Sequence, residues 1–209
     1  MKKTILFFIL CFSAMLGSAQ TNNYNYKEWP KTKAIKINIL SGFAGTLNLS
    51  YEYLFAQQWS IQNGISYTQL NFDNSRRQLG LNGFQYTLDF RKYKSIKTAW
   101  NGRYNQYFVR FAAYTYKDNK QDSSTQNKII NYKENLQGIS IGYAWGYQKT
   151  YRNKFLIDAF IGMQLSVPTY YSCSPSQEIL KDYKIKTNEE NLATNGIGFR
   201  GGIKFGYLF

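Results

Sequence analysis

The sequence predicts an all-β fold: a closed antiparallel up-and-down transmembrane β-barrel of eight strands, with ten as the alternative count. Three observations predict it. In the final segment every second residue is apolar or glycine (Ile197, Phe199, Gly201, Ile203, Phe205, Tyr207, Phe209), and Gly198, Arg200, Gly202, Lys204, Gly206 and Leu208 fall between them. Successive side chains of a strand point to opposite faces, so one face is oily and the other is small or cationic. Aromatic residues make up 18% of the chain although its mean hydropathy is negative, a pairing that amphipathic strands with interfacial rings account for. Finally, a secretion leader opens the chain, and no later stretch holds eighteen consecutive apolar residues, which excludes helical spans.

The leader is expected at 1–19: Lys2 and Lys3, an apolar run from Ile5 to Leu16, then Gly17-Ser18-Ala19 before the cleavage point. Its run is too short to span a bilayer, and Cys11 lacks the small residue immediately before it that lipidation needs. Cleavage lowers the formal charge from +14 to +12 by removing two lysines, and leaves Cys173 as the sole cysteine. An internal disulfide is thereby excluded. Residues 20–33, with Tyr24, Tyr26 and Trp29, form a periplasmic lead-in, and 34–209 the barrel.

Strand 1 is expected at 34–43, with Ile35, Ile37, Ile39 and Phe43 on the oily face and Lys36 and Asn38 opposite. Strand 2, at 46–55, places Glu52 inward. A hairpin pivot near Ala44 sets Lys36 against Glu52, a favourable cross-strand pair. Strand 3 is expected at 59–72, strand 4 at 84–92 with Asp89 and Arg91 inward, and strand 5 at 105–116 with Arg110 inward. Phe108 breaks the pattern on the inward side and is expected near a strand end. Strand 6, at 134–148, has a small inward set (Gly138, Ser140, Gly142, Ala144, Gly146) that leaves room for Arg110 and Phe160. Strand 7, at 154–165, carries Asp158 inward. The connections at 73–83, 117–133 and 166–194 read as polar loops, and that at 93–104 as basic and aromatic. Ten strands follow if 93–104 and 166–194 carry further pairing.

The terminal Gly-Ile-Lys-Phe-Gly-Tyr-Leu-Phe resembles the C-terminal assembly signal of Gram-negative outer-membrane barrels, with Ile203, Phe205, Tyr207 and Phe209 as the alternating residues. The chain is similar to small barrels of the OmpA membrane-domain and OmpX type and to the PorT-like barrels of Bacteroidota. That resemblance implies a Gram-negative outer-membrane location, recognition by the barrel-assembly machinery, and structural, adhesive or secretion-associated work rather than catalysis. A counterpart to OmpA's peptidoglycan-binding domain is not expected.

Histidine is absent from the chain. Small barrel enzymes of this membrane use a histidine because it exchanges protons near neutral pH, so an enzyme is not expected. One loop cysteine and no histidine disfavour zinc. Gly196-Ile197-Gly198-Phe199-Arg200-Gly201 has dinucleotide-binding spacing but no following helix, so its glycines read as bore-facing spacers and no cofactor is expected. Adjacent Glu189 and Glu190 point apart on any strand and read as a solvated loop.

The inward charges form the stronger constellation: Lys36, Glu52, Asp89, Arg91, Arg110, Asp158, Arg200 and Lys204. An eight-stranded interior is just wide enough for side chains to fill it, which favours a paired network blocking the bore; the rival is a narrow anion-preferring channel. Arg76, Arg77, Lys117, Lys120, Lys181 and Lys184, with Lys128 and Lys186, place positive charge in loops. Outside the cytosol nucleic acid is not the partner; outer-membrane lipid, lipopolysaccharide and other anionic glycans are. The alternative fold is a soluble ligand-holding barrel with the oily face turned inward.

Overall fold

A computed structural model describes residues 31–43, 45–74, 77–94, 100–121, 129–174 and 196–209. The expected leader, nearly all of the lead-in, and Glu189 and Glu190 lie outside them. Eight strands follow in order: β1 Lys33–Asn38, β2 Thr46–Ala56, β3 Trp59–Asn74, β4 Arg77–Tyr93, β5 Gly102–Gln121, β6 Ile129–Tyr151, β7 Phe155–Ser174 and β8 Gly196–Leu208. A five-residue helix, α1 Ile39–Phe43, joins β1 to β2.

Each strand pairs antiparallel with its sequence neighbour, and β1 pairs with β8 to close the ring. Reciprocal backbone bonds between Lys33 and Phe209, at 3.3 and 3.0 Å, seal the seam. Following paired residues around the ring from Ala34 through Glu52, Gln62, Asp89, Phe108, Gly142 and Gln164 leads to Gly198. The direct partner of Ala34 on β8 is instead Leu208, ten residues beyond Gly198. That displacement over eight strands tilts the strands about 40° and gives a backbone radius of about 8 Å.

The alternation sorts side chains inversely to a soluble protein. Polar and charged residues fill the interior, whereas Ile35, Leu49, Tyr67, Phe84, Val109, Ile141, Trp145, Met163, Ile203 and Phe205 are exposed on the outer wall. Asn63 and Tyr86 also face outward, and there the tyrosine hydroxyl donates to the amide oxygen at 2.6 Å.

Five expectations about the strands need correction. Strand 1 ends at Asn38, not at 43: Asn38 accepts from Ser41 N–H and Oγ–H, and Gly45, at φ 65°, turns the chain back, so Ile39 and Phe43 sit in α1. The turn therefore pivots one residue early, and Lys36 pairs with Ser50 while Ala34 faces Glu52. The segments 73–83 and 117–133 are largely ladder: β3 pairs with β4 as far as Asn74 and Arg77, and β5 with β6 as far as Gln121 and Ile129. β7 runs to Ser174, past a register shift at Gln137/Gly138 where Pro168, which has no N–H to donate, pairs with Gly138. Phe108, finally, lies in mid-strand rather than at an end. The ring has eight strands, not ten.

The small inward residues of β6 stand opposite the expected pair, Arg110 at Ser140 and Phe160 at Gly146, and make room for further rings as well. A Cβ at Gly142 would collide with Phe108 and with the Met163 carbonyl, and one at Gly146 with Tyr104. Phe160 also lies against Gly202 on its other side.

Candidate functional site

The chemistry of the molecule is concentrated in the bore. At the terminus end, Ala34, Leu54, Tyr93, Trp100, Leu156 and Leu208 are all buried and form an apolar floor. Trp100 closes it by donating Nε1–H to the Lys31 carbonyl at 2.8 Å and accepting from Gln148 Nε2 at 3.2 Å.

Above the floor lies a four-charge cluster with no solvent exposure. Lys36 reaches Asp158 Oδ2 at 2.9 Å and also pairs with Glu52; Arg91 Nη1 reaches the same Asp158 oxygen at 2.7 Å and Glu52 Oε2 at 3.2 Å. Each carboxylate thus sits between both cations. Tyr93 donates to Glu52 Oε1 at 2.8 Å, Ser60 donates to the same oxygen, and Tyr104 donates to Asp158 Oδ1. Arg91 stacks on the Tyr104 ring at 4.4 Å. Burying two ion pairs is tolerable only when the remaining lone pairs also find donors, and here every oxygen does.

A second cluster follows. Asp89 Oδ1 accepts from Arg200 Nη1 at 2.7 Å and from Gln106 at 2.9 Å, and its Oδ2 from Gln62 at 2.5 Å. Arg200 lies between the rings of Phe108 and Phe160, at 4.4 and 5.2 Å, and Lys204 lies 5.0 Å from Phe160. Farther from the termini, Arg110 donates to Thr87 Oγ1 at 3.3 Å and to Gln164 Oε1 at 3.0 Å.

The eight charged residues read as bore-lining from the sequence all point inward, in two clusters with Arg110 apart. Tyr93, Trp100, Tyr104, Gln106 and Gln148 complete these clusters and were missed, the first three because they fell in the expected 93–104 connection; Ser60 and Gln62, which the alternation of strand 3 places inward, complete them too. Parity carried the signal, since Tyr93 stands two residues after Arg91 and Tyr104 two before Gln106. Asp118 and Glu134 are also inward and buried, near the far end. Glu52, Asp89 and Asp158 have all their oxygens engaged by donors, an arrangement suited to holding charge rather than moving protons. Among the described residues no group of three or more histidines, cysteines or carboxylates is arranged to hold a metal.

Ile203, Phe205, Tyr207 and Phe209 project from the outer wall beside the β1–β8 seam. Of the basic residues assigned to loops, Lys117 is exposed on β5, Arg77 and Lys120 belong to β4 and β5, and Arg76, Lys128, Lys181, Lys184 and Lys186 lie outside the described residues. Cys173 is half-buried near the end of β7 and is in no disulfide among the described residues. Cations instead collect around the terminus end: Lys92 lies 5.2 Å from the Trp59 ring, Arg152 5.2 Å from Tyr151 and Lys31 5.7 Å from Tyr207, with Lys94, Arg103, Lys149 and Lys154 exposed nearby.

Residues 5–189 match the family described as "Protein of unknown function (DUF3575)", and the chain belongs to it. No curated protein sequence matches. In structure the chain is similar to CarO2 of Acinetobacter baumannii, with a TM-score of 0.50 and 10% identity over 86% of this chain and 97% of that one. It is also similar to Ail, the attachment invasion locus protein of Yersinia pestis (TM-score 0.47, 12% identity, 86% and 99% covered). A third neighbour is a major outer membrane protein from Thermus thermophilus (0.43, 12%, 86% and 98%). At these identities the likeness to CarO2 concerns the fold.

Proposed function

We propose that this member of the DUF3575 family is a non-enzymatic barrel of the Gram-negative outer membrane. Its bore is plugged at the terminus end, and it acts at the cell surface as a scaffold, adhesin or lipid- and glycan-contacting protein through the connections far from its termini. The observation that carries this reading is the inversion of burial. A closed ring whose outer wall is an apolar belt and whose interior holds Lys36, Glu52, Arg91 and Asp158 without solvent exposure suits hydrocarbon outside, where no unpaired backbone group is tolerated. Rings at the terminus-end margin, with cations over Trp59, Tyr151 and Tyr207, suit the level of lipid headgroups. A shallow apolar depression of about 700 Å³ between Tyr107, Ile141, Met163 and Ile197 suits acyl chains.

The test is extraction and refolding of the mature chain. Solubility only in detergent, a folded band that shifts on heating, and no unit conductance in planar bilayers support the reading. A monomer folded in plain buffer with its belt shielded sinks it, in favour of the soluble barrel. Steady conductance moves it to the second reading, a small anion-preferring channel, which the surplus of bore cations favours. Grafting inert turns in place of 122–128 and 175–195 then asks whether surface binding resides there; retained binding to lipopolysaccharide or host surfaces places it elsewhere.

A further inference from the structure

We infer that the half of the barrel away from the termini is a binding site for a small soluble oxyanion of the phosphate class, seated between the guanidiniums of Arg110 and Arg200. From the floor up to Arg110 the bore holds five cations (Lys36, Arg91, Lys204, Arg200, Arg110) against three carboxylates (Glu52, Asp158, Asp89). Both carboxylates of the lower cluster are shared by Lys36 and Arg91, and Asp89 is taken by Arg200. Arg110 has no carboxylate at ion-pair distance among the described residues. The inward carboxylates beyond it do not serve: Asp118 is eight residues further along β5, and Glu134 six residues from Ser140, the β6 partner of Arg110. Those separations are about 26 and 20 Å along the strands.

Partial exposure begins at this level, although Thr68, Ala112, Tyr114, Leu136, Asp118 and Glu134 further out are buried again. Asp89, Arg91, Glu52 and Asp158 are fully buried, Arg200 is 8% exposed, and Arg110 is half-buried, as are Asn48, Thr46 and Gln85 further out. Of the bore cations Arg110 is thus the most exposed, and Arg200 below it retains a small accessible fraction. The cations are also fixed in place. Arg110 is anchored through Nε and Nη1, and its anchor Gln164 is tied by Nε2 to Ser166 Oγ at 3.1 Å, which meets Ser140 Oγ at 2.8 Å. No hydrogen bond to Arg110 Nη2 occurs among the described residues. Arg110 and Arg200 stand 5.8 and 4.4 Å from one shared ring, Phe108. Two held guanidiniums, Arg200 paired with Asp89 and Arg110 with no carboxylate at ion-pair distance among the described residues, with hydroxyls of Thr87, Ser140 and Ser166 around them, form a fork that matches a tetrahedral oxyanion. The ladders of β4 through β8 keep a lipid headgroup from entering sideways, so the anion comes along the bore from the far end.

The experiment uses the full mature chain folded in detergent and inorganic phosphate as the probe, titrated by calorimetry and by the midpoint of the heat-induced band shift against chloride at equal ionic strength. Phosphate is expected to bind and to raise that midpoint in the wild type and in Lys117→Gln, whose exposed charge lies beyond the site. Arg110→Gln is expected to weaken binding at least tenfold, and Arg110→Lys, which keeps the charge but not the fork, several-fold. Wild type responding to phosphate no more than to chloride overturns the inference, as does phosphate affinity in Arg110→Gln equal to wild type. If Arg110→Gln does not fold, Arg110→Lys decides: weakened binding supports the site, and undiminished affinity overturns it.

Discussion

Replacing Asp158 by asparagine tests whether the lower cluster holds the bore shut. The change keeps the side-chain volume and an oxygen to accept from Tyr104, but removes the charge that Lys36 and Arg91 contact at 2.9 and 2.7 Å. Glu52 alone then faces two cations, all without solvent exposure. Breaking a buried pair by removing one partner costs about 3–5 kcal/mol, because the orphaned charge has no water to return to. The assay is urea unfolding in phospholipid vesicles, followed by tryptophan fluorescence and gel migration. With a denaturant slope of roughly 2–3 kcal/mol/M, the midpoint drops by about 1–2 M. Adding Lys36→Met removes the surplus cation, and the double variant is expected to recover at least half the loss, a coupling that distant, independent sites do not show. The reasoning fails if Asp158→Asn shifts stability by less than about 1 kcal/mol, or if the two losses simply add.

Other expectations follow from packing, the turns and the seam. Gly162→Ala puts a Cβ against the Tyr143 carbonyl and Ala144, backbone that cannot move aside, and should destabilise by about 1–3 kcal/mol in the same urea assay. Gly201→Ala, on the outer wall with only the Phe160 carbonyl at 3.4 Å, should be nearly neutral; equal effects at the two glycines contradict the packing argument. Arg152 and Asn153 both sit at φ 52° in the β6–β7 turn, a conformation glycine adopts without strain, so Arg152→Gly should stabilise by about 0.5–1 kcal/mol, measured as a raised urea midpoint. Phe209→Ser removes the ring that meets Tyr51 at 6.4 Å beside the β1–β8 seam. If the terminal strand is the assembly signal, this variant accumulates unfolded in the periplasm although it still refolds in detergent; normal membrane yield refutes that role.

The sequence made strand identity and facing legible, but not strand length. In β2, β4 and β8 oily and polar residues alternate because one face meets the outer wall, and the facing of Lys36, Asp89, Arg110 and Lys204 follows from parity alone. Toward the far end the outward residues become polar as well, as at Lys117 and Asn135, so the alternation disappears while the β5–β6 ladder continues. Hydrogen bonding needs no oily face, and polar stretches at 73–83 and 117–133 therefore read as loops. Which charges meet was out of reach for a different reason. Arg91 on β4 and Asp158 on β7 are brought together across the bore by the strand tilt, a property of the whole ring rather than of any segment. The one pair inferred from local register, Lys36 with Glu52, does form, but diagonally, because α1 takes up the residues that would have placed them directly opposite.

That geometry also limits where specificity resides. A backbone radius of about 8 Å leaves, once side chains enter, a cross-section that a few rings and guanidiniums close. Here Tyr104, Arg91, Lys36 and Asp158 close it at one level, and Phe108, Phe160, Arg200 and Asp89 at the next. Gly142, Gly146 and Gly202 are the counterpart of those large groups: a Cβ at any of them would strike a ring that helps close the bore. A passage through the terminus half would therefore require rearranging ion pairs that have no water to exchange into, whereas Arg110, Asn48 and Gln85 above Asp89 are part-exposed.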